Sequence, residues 1–381
     1  MSEERTADWD PRDASVLNNQ VEAFDQMRSR CPVAWSEFLN WSIFRHADII
    51  NILDDPNTFS SFSNHRAVPN GMDPPEHTAY RSALAPFFTP DQMSRLEPGF
   101  RSIAAELATP LINQPGGEFI DAFATAYSLR CAVEYLGWRA DRWEHLRGWT
   151  HGNQQASLAR DRETSAALAR EFTAIVQEEL ADRRRDKKAQ DDLTSRLMTT
   201  TVNGQVLSDA DIVSTVRNWI AGHGTVAAGI GILTWHLASD AELQQQLREE
   251  PDRLAQAIDE ILRTDGPLVS NRRTTTRDVK IAERHIPAGE RLTLMWIAAD
   301  RDPAAFQDPD RIDLKRNLDR SLVFGWGIHD CIGASLARLE MLVAIEELLS
   351  RTTSIEVADP STVKRMVYPS NGIASMTLTL H

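Results

Sequence analysis

No CxxC pair, no long apolar run and no excess of basic charge occur in this chain of 381 residues. Its three cysteines, Cys31, Cys131 and Cys331, lie far apart, which argues against a disulfide framework and against a zinc site. No stretch approaches the roughly 18 apolar residues that a membrane helix needs. The N-terminus, MSEERTADWD, has no apolar core of signal-peptide type. A cytoplasmic protein with reduced thiols and no membrane contact is expected. With 41 Lys and Arg against 55 Asp and Glu, the net charge of −14 argues against a nucleic-acid binder. A local basic patch for a docking partner stays compatible with that balance. Neither an internal repeat nor a low-complexity segment is present.

What the chain does have is a core's worth of apolar residues, 42%, in helical periods. Helices are expected over 92–112, 119–136, 162–184, 208–238, 240–249, 251–264 and 334–350. Strand signals are fewer. Residues 34–44 read as a short hairpin, 279–296 alternates on both sides of an Ile-Pro-Ala-Gly turn, and 373–380 alternates near the C-terminus. The charged run 181–192 reads as a solvated helix end or loop. The fold class expected is mainly α with small β-sheets, one domain over 1–381. The first 30 residues form an N-terminal extension without a specific signal.

The densest signal is FGWGIHDCIG, residues 324–333, followed by the apolar helix pattern of 333–349. Cys331 sits just before that helix, where free amides carry positive partial charge. A cysteine there is expected to have a lowered pKa. Gly325, Gly327 and Gly333 let the backbone turn tightly and approach something closely. Three readings compete: an inert core cysteine, a nucleophile with His329 as base, and a lone thiolate ligand to a metal. The i, i+2 spacing on a tight loop disfavours the second. The third suits an iron whose remaining ligands come from a porphyrin.

The stretch resembles the heme-binding signature of the cytochrome P450 family. Phe324, Gly327, His329, Cys331, Gly333, Leu336, Ala337 and Arg338 fill its fixed positions. The resemblance implies a P450-like helical fold around heme b (iron protoporphyrin IX), with Cys331 as the axial thiolate. It implies that the loop is bare so that amides and a flat macrocycle can crowd the sulfur.

Other segments follow in the family's order. The helix of 208–238 starts at a probable cap, Ser208, and carries four glycines in AGHGTVAAGIG. Each costs about 1 kcal/mol against alanine, so close packing, a bend or a flat cofactor is expected there. By resemblance, Ala221, Gly222, His223 and Thr225 fit the oxygen-activation pattern, with Thr225 a hydrogen-bond partner of bound oxygen. The pattern's acid is replaced by Gly224. Asn218, Ala221, Thr225 and Ile232 share a helix face, while His223, about 200° from Thr225, points elsewhere. Glu260 and Arg263, i and i+3, resemble the family's buried pair, and Arg311 is its expected third member. His77, Arg81 and Arg273, with His329, match the family's partners for the heme carboxylates.

The resemblance implies a monooxygenase that places one atom of dioxygen on a substrate and releases the other as water. No flavin or iron–sulfur segment follows the cysteine helix, so a separate ferredoxin and ferredoxin reductase are expected, docking near Lys315, Arg316, Arg320 and Arg338. A small or medium apolar substrate is expected against Asn218, Ala221, Leu268, Val269 and Ser270, under a short lid at 62–72. A monomer is expected. Gly224 keeps a peroxide-dependent enzyme open as an alternative, and a non-catalytic heme-thiolate sensor is a third.

Overall fold

The computed structural model describes residues 5–114, 116–159, 161–185 and 192–381. Its axis is the helix Asp209–Ser239, hereafter the long helix. Ser208 caps it, its side chain accepting from the Asp211 N–H, and Asp209 and Asp211 place negative charge against the first turn. Its 31 residues span roughly 46 Å at 1.5 Å each. Its second half is buried almost all round, so it runs through the core rather than over it.

Around it pack Ala126–Leu136, Leu254–Thr264 and Ala334–Arg351, the last hereafter the cysteine helix, and Pro90–Asn113 packs on the first and last of these. One apolar cluster runs through all five. Two of the four glycines in the long helix are explained here. A Cβ on Gly229 would lie 2.9 Å from Met341 Sδ, and one on Gly231 2.9 Å from Ile120 Cδ1. Close helix packing thus accounts for that half of the glycine run.

The 119–136 segment is wound in two ways. Ile120–Thr125 is a π-helical turn, and the α-helix proper is Ala126–Leu136, ended by Gly137 at φ 71°. Helices at Gln20–Arg30, His46–Leu53 and Arg142–Ala159 had no strong sequence signal. The first 30 residues are more than an extension. Trp9 and Phe24 meet edge to face with ring centroids 6.3 Å apart, and both belong to a buried cluster with Met27 and Phe44.

A five-stranded sheet lies beside the helices, in the order Val33–Ser36, Asn40–Ile43, Arg291–Met295, Ser270–Thr275, Phe59–Ser60. The first two form the expected hairpin. In the 279–296 segment the hairpin turns earlier than Ile-Pro-Ala-Gly. Val279–Ile281 pairs with Arg284–Ile286, and Ala282 takes φ 47°. Gly289, at φ 80°, then redirects the chain, and its N–H donates to the Thr275 carbonyl at 2.7 Å. Arg291–Met295 therefore joins the larger sheet, where Leu292 and Leu294 are fully buried. The C-terminal pattern breaks at Met376 into Ile373–Ser375 and Thr377–Leu380, which belong to different sheets.

The charged run at 181–192 is not all solvated. Arg183 is buried, donating to Glu179 at 2.9 Å and to Asp192 and the Gly137 carbonyl. Residues 186–191 of that run lie outside the described residues. Among the described residues, no helix is long and apolar enough to cross a membrane.

Candidate active site

The Cys331 loop is fixed by its backbone before any side chain acts. The Cys331 N–H donates to the Phe324 carbonyl at 2.7 Å. Gly325 and Gly327 take φ 75° and 71°, a region that disfavours any Cβ. A Cβ on Gly327 would also lie 3.0 Å from the Leu53 carbonyl oxygen. Turn geometry and the neighbouring helix His46–Leu53 therefore require these two glycines. Gly333 is under no such constraint: its φ is −90° and a Cβ would meet only Phe88, at 3.6 Å. Phe324 is clamped by the Arg338 guanidinium, 4.1 Å over its ring, which also holds Asp259.

Cys331 is a free cysteine whose residue is open to small molecules at the mouth of this loop. The lowered pKa expected from the helix N-terminus is not what the surroundings produce. Desolvation pushes the thiol up, and the Gly333 N–H and Arg81 only partly oppose it. A thiolate here needs a stronger cationic partner, as a metal ion would be.

Above the loop, four nitrogen-bearing side chains from three parts of the chain converge. His77 and Arg81 stand i, i+4 on Glu76–Leu84, Arg273 on Ser270–Thr275, and His329 in the loop. The two imidazoles lie 4.1 Å apart. Desolvation, then His77, Arg273 and Arg81, push His329 down to about 3. Burial lowers Arg273 to about 10, and burial followed by Arg81 lowers His77. Both ring nitrogens of His77 and Nε2 of His329 are buried without a partner among the described residues. Arg81 donates to the Asp330 carbonyl at 2.5 Å and pairs with its carboxylate. Groups that depress one another in this way, with orphaned nitrogens, fit an anionic partner carrying more than one negative oxygen.

The long helix carries a bare stripe. Ala221 and Gly222 are exposed and Gly224 and Thr225 half-buried, in a helix otherwise enclosed from Val226 to Leu233. A Cβ on Gly222 would meet nothing within 4 Å, and one on Gly224 only Thr150 Cγ2 at 3.8 Å. Packing explains Gly229 and Gly231, but not these two. The stripe, the thiol and the cationic cluster together suit a flat group with a metal centre and carboxylate arms. Thr225 makes no hydrogen bond to any described residue, so its hydroxyl is not spent on its own helix. His223 points away, its Nδ1 3.2 Å from Glu340 Oε2 on the cysteine helix. The signal for this buried His–Glu contact in the sequence is an acid, Glu340, within the apolar period of the cysteine helix.

Several expected residues sit elsewhere. Glu260 and Arg263 are fully buried and paired at 2.7 Å. The cation that joins them is Arg316, not Arg311: Arg316 Nε donates to Glu260 Oε1 at 2.9 Å. Arg311 is exposed and offers only its carbonyl, to Arg263 at 3.4 Å and to Arg316 at 3.1 Å. The cause is the coil of 302–316, which turns its last arginine inward, and this also takes Arg316 out of the expected basic patch. Lys315 and Arg320 remain exposed, while Arg338 is tied to Asp259.

Val269 does not line an open chamber. It is fully buried with Trp9, Phe24 and Met295. Leu268 is exposed, its backbone bridged to Ser370, and Ser270 opens a strand. Asn218 is engaged with the lid, its Nδ2 donating to the Val68 carbonyl at 2.8 Å. The Val68 N–H donates to Ser214 Oγ at 2.9 Å, and Arg66 pairs with Asp211. The lid at 62–72 is thus fastened to the long helix at three successive turns.

The family described as Cytochrome P450 matches residues 141–375. A curated relative, the erythromycin C-12 hydroxylase of Saccharopolyspora erythraea, is 32% identical over 345 residues, 85% of this chain and 85% of its own. The cyclomarin C epoxidase CymV of Salinispora arenicola is 32% identical over 83% of this chain and 84% of its own. Among solved structures, a mutant of P450 EryK in complex with erythromycin B superposes with TM-score 0.87. It is 29% identical, over 95% of this chain and 96% of that one.

Proposed function

Because the chain belongs to the cytochrome P450 family, an oxidoreductase family that binds heme b, we propose that it inserts one oxygen atom from dioxygen into a small or medium apolar organic substrate. Electrons would come from a separate ferredoxin and its reductase, with the whole chain working as one cytoplasmic, monomeric unit around the heme. Its relatives are named as a hydroxylase and an epoxidase, so either outcome of oxygen insertion is within reach.

The observation that carries this reading is the convergence of His77, Arg81, Arg273 and His329 beside the Cys331 loop; a bare stripe at 221–225 on the long helix supports it. Heme, when bound, supplies dioxygen binding and activation at its iron, assisted by an electron-rich thiolate. The protein's own contributions follow from the geometry. Cys331 Sγ would hold the iron. His77, Arg81, Arg273 and His329 would hold the carboxylates. Phe324 and Gly325 shape the loop, and Gly333 offers its amide to the sulfur. Ala221 and Gly222 give a flat group room. Thr225 Oγ1 would donate a hydrogen bond on the oxygen side. Asn218 would keep the lid closed and water out. Leu268 and Ala221 would border the substrate.

A reduced carbon-monoxide difference spectrum tests the ligand. The thiolate-type band is expected in the native protein and not in Cys331→Ser; an imidazole-type band in the native protein overturns the assignment. Gly224 favours a second reading, in which hydrogen peroxide is the oxidant and no acid is needed to deliver protons. Product formation far faster with peroxide than with ferredoxin, reductase and dioxygen would select it.

A further inference from the structure

A cavity of about 430 Å³ lies well away from the Cys331 loop, within the size range of small-molecule sites. Its walls come from the start of Gln20–Arg30, the end of the long helix, the end of Leu254–Thr264 and the strand Lys364–Arg365. His236 stands 11 residues beyond Thr225, roughly 16 Å further along the long helix. Nothing in the oxidation site uses these residues.

We propose that this cavity is a second binding site, for a small hydroxylated aromatic carboxylate. Three features select that chemistry. Arg365 uses only Nη2, donating to Asp265 at 2.6 Å and Asn371 at 3.3 Å. Its Nε and Nη1 have no partner among the described residues, and the guanidinium sits 5.2 Å over the Trp235 ring. His236 Nε2 is 3.5 Å from Asp265 Oδ2 but lacks hydrogen-bond geometry. A guanidinium edge beside an imidazole fits a carboxylate. Gln20 is 5% exposed, and its Nε2 donates to the Met366 and Ser370 carbonyls and to Asn371. Its Oε1 is buried without a partner, and so favours a ligand that donates an O–H. The Trp235 and Met366 side chains offer apolar surface to a ring. The other arginine in the wall, Arg301, already has all three nitrogens engaged, by Asp25, Asp310 and the Thr264 carbonyl.

The site is wired to the substrate side. Asn371 Nδ2 donates to Asp265 Oδ1 at 2.7 Å and to the Gly266 carbonyl at 2.9 Å. The Asn371 N–H donates to the Pro267 carbonyl, and Leu268 bridges Ser370. A ligand that draws Arg365 toward itself loosens its hold on Asp265, and with it the segment leading to Leu268. This coupling rests on the proposed function; the binding itself does not.

The test fills the oxidation chamber of the holoprotein with a saturating iron-coordinating azole, then titrates 4-hydroxybenzoate by calorimetry. One molecule per chain is expected. Affinity should fall about ten-fold in Arg365→Gln and again in His236→Phe; Arg365→Lys, which keeps a cation beside the buried Asp265 but removes the planar fork, serves as the variant that stays folded and should also bind more weakly. Neutral 4-hydroxybenzyl alcohol should bind more weakly than the acid. No saturable heat in the azole-filled protein, or affinity unchanged from the native protein in these variants, overturns the site. The shift that the azole produces in the heme absorbance reports the heme centre separately, so a failed heme assignment is not mistaken for a failed cavity. The coupling requires 4-hydroxybenzoate to change the azole's dissociation constant, and the azole to change that of 4-hydroxybenzoate by the same factor; independence of the two removes it.

Discussion

At residue scale, the most consequential position is one where a side chain is missing. Gly224 stands where the resemblance places an acid, yet no neighbour forbids one. A Cβ there meets only Thr150, at ordinary contact distance. The departure is therefore chemical rather than steric. Gly224→Asp should raise product formed per electron consumed, and stabilise the helix by a few tenths of a kcal/mol through propensity. Unchanged or lower coupling, measured as product against reductant used, would mean protons reach Thr225 by another route. Asp300 gives a second residue-scale expectation. It is 3% exposed, and burial lifts its carboxyl to about 8, against the help of the Leu322 N–H and Arg263. An acid with a raised folded pKa binds more protons folded than unfolded. Its stabilisation is complete below about 4 and is lost as pH rises through about 8. The native protein should thus lose on the order of a few kcal/mol across that range from this group. Asp300→Asn, which keeps an acceptor for Leu322, should flatten this part of the profile of melting temperature against pH.

At the scale of elements, the buried ion pair on Leu254–Thr264 decides how the 302–316 coil is held. Arg263 reaches the Asp300 and Pro309 carbonyls as well as Glu260, and Arg316 closes the cluster from the far end of the coil. Arg316→Ala leaves part of Glu260 uncompensated in the interior and should cost about 3 kcal/mol. Arg311→Ala should stay within about 0.5 kcal/mol. Denaturant midpoints measured side by side check this, and the opposite ranking would restore Arg311 to the cluster. The sequence could not separate these two arginines, because which one turns inward depends on coil geometry with no period. The same holds for the strand at 291–295. Its alternation was legible, but its partners were set by a Gly289 turn tied to Thr275, a contact across 14 residues. By contrast, the long helix and the cysteine helix were readable to within a residue or two, since cap, apolar period and length all agreed. The helix Arg142–Ala159 was not, because two glycines and a scattered polar pattern blur its period.

For the whole molecule, tertiary structure alone brings together three distant parts of the chain: residues 77–81, 273 and the loop 324–333. The motif at 324–333 was legible because it is local, and it drew the other segments into place by order along the chain. What the sequence did not disclose is the electrostatic cost of that assembly without its anionic partner. Burial and nearby cations depress His77 and His329, burial alone depresses Arg273, and three ring nitrogens lack partners among the described residues. A group that brings carboxylates to this cluster and a cation to Cys331 removes these penalties at once. Binding it should therefore raise stability by mass action and tighten contacts between the helix Glu76–Leu84, the strand Ser270–Thr275 and the loop. Heme-depleted protein should melt well below the heme-bound form. Hydrogen exchange should quicken in those three segments, while the buried second half of the long helix stays protected. Arg273→Ala should leave the depleted form as stable or more so, since it deletes a cation that burial strips of water, yet weaken heme retention by about ten-fold through a lost charge-assisted bond. If that variant instead destabilised both forms equally, Arg273 would be holding the sheet rather than the cofactor.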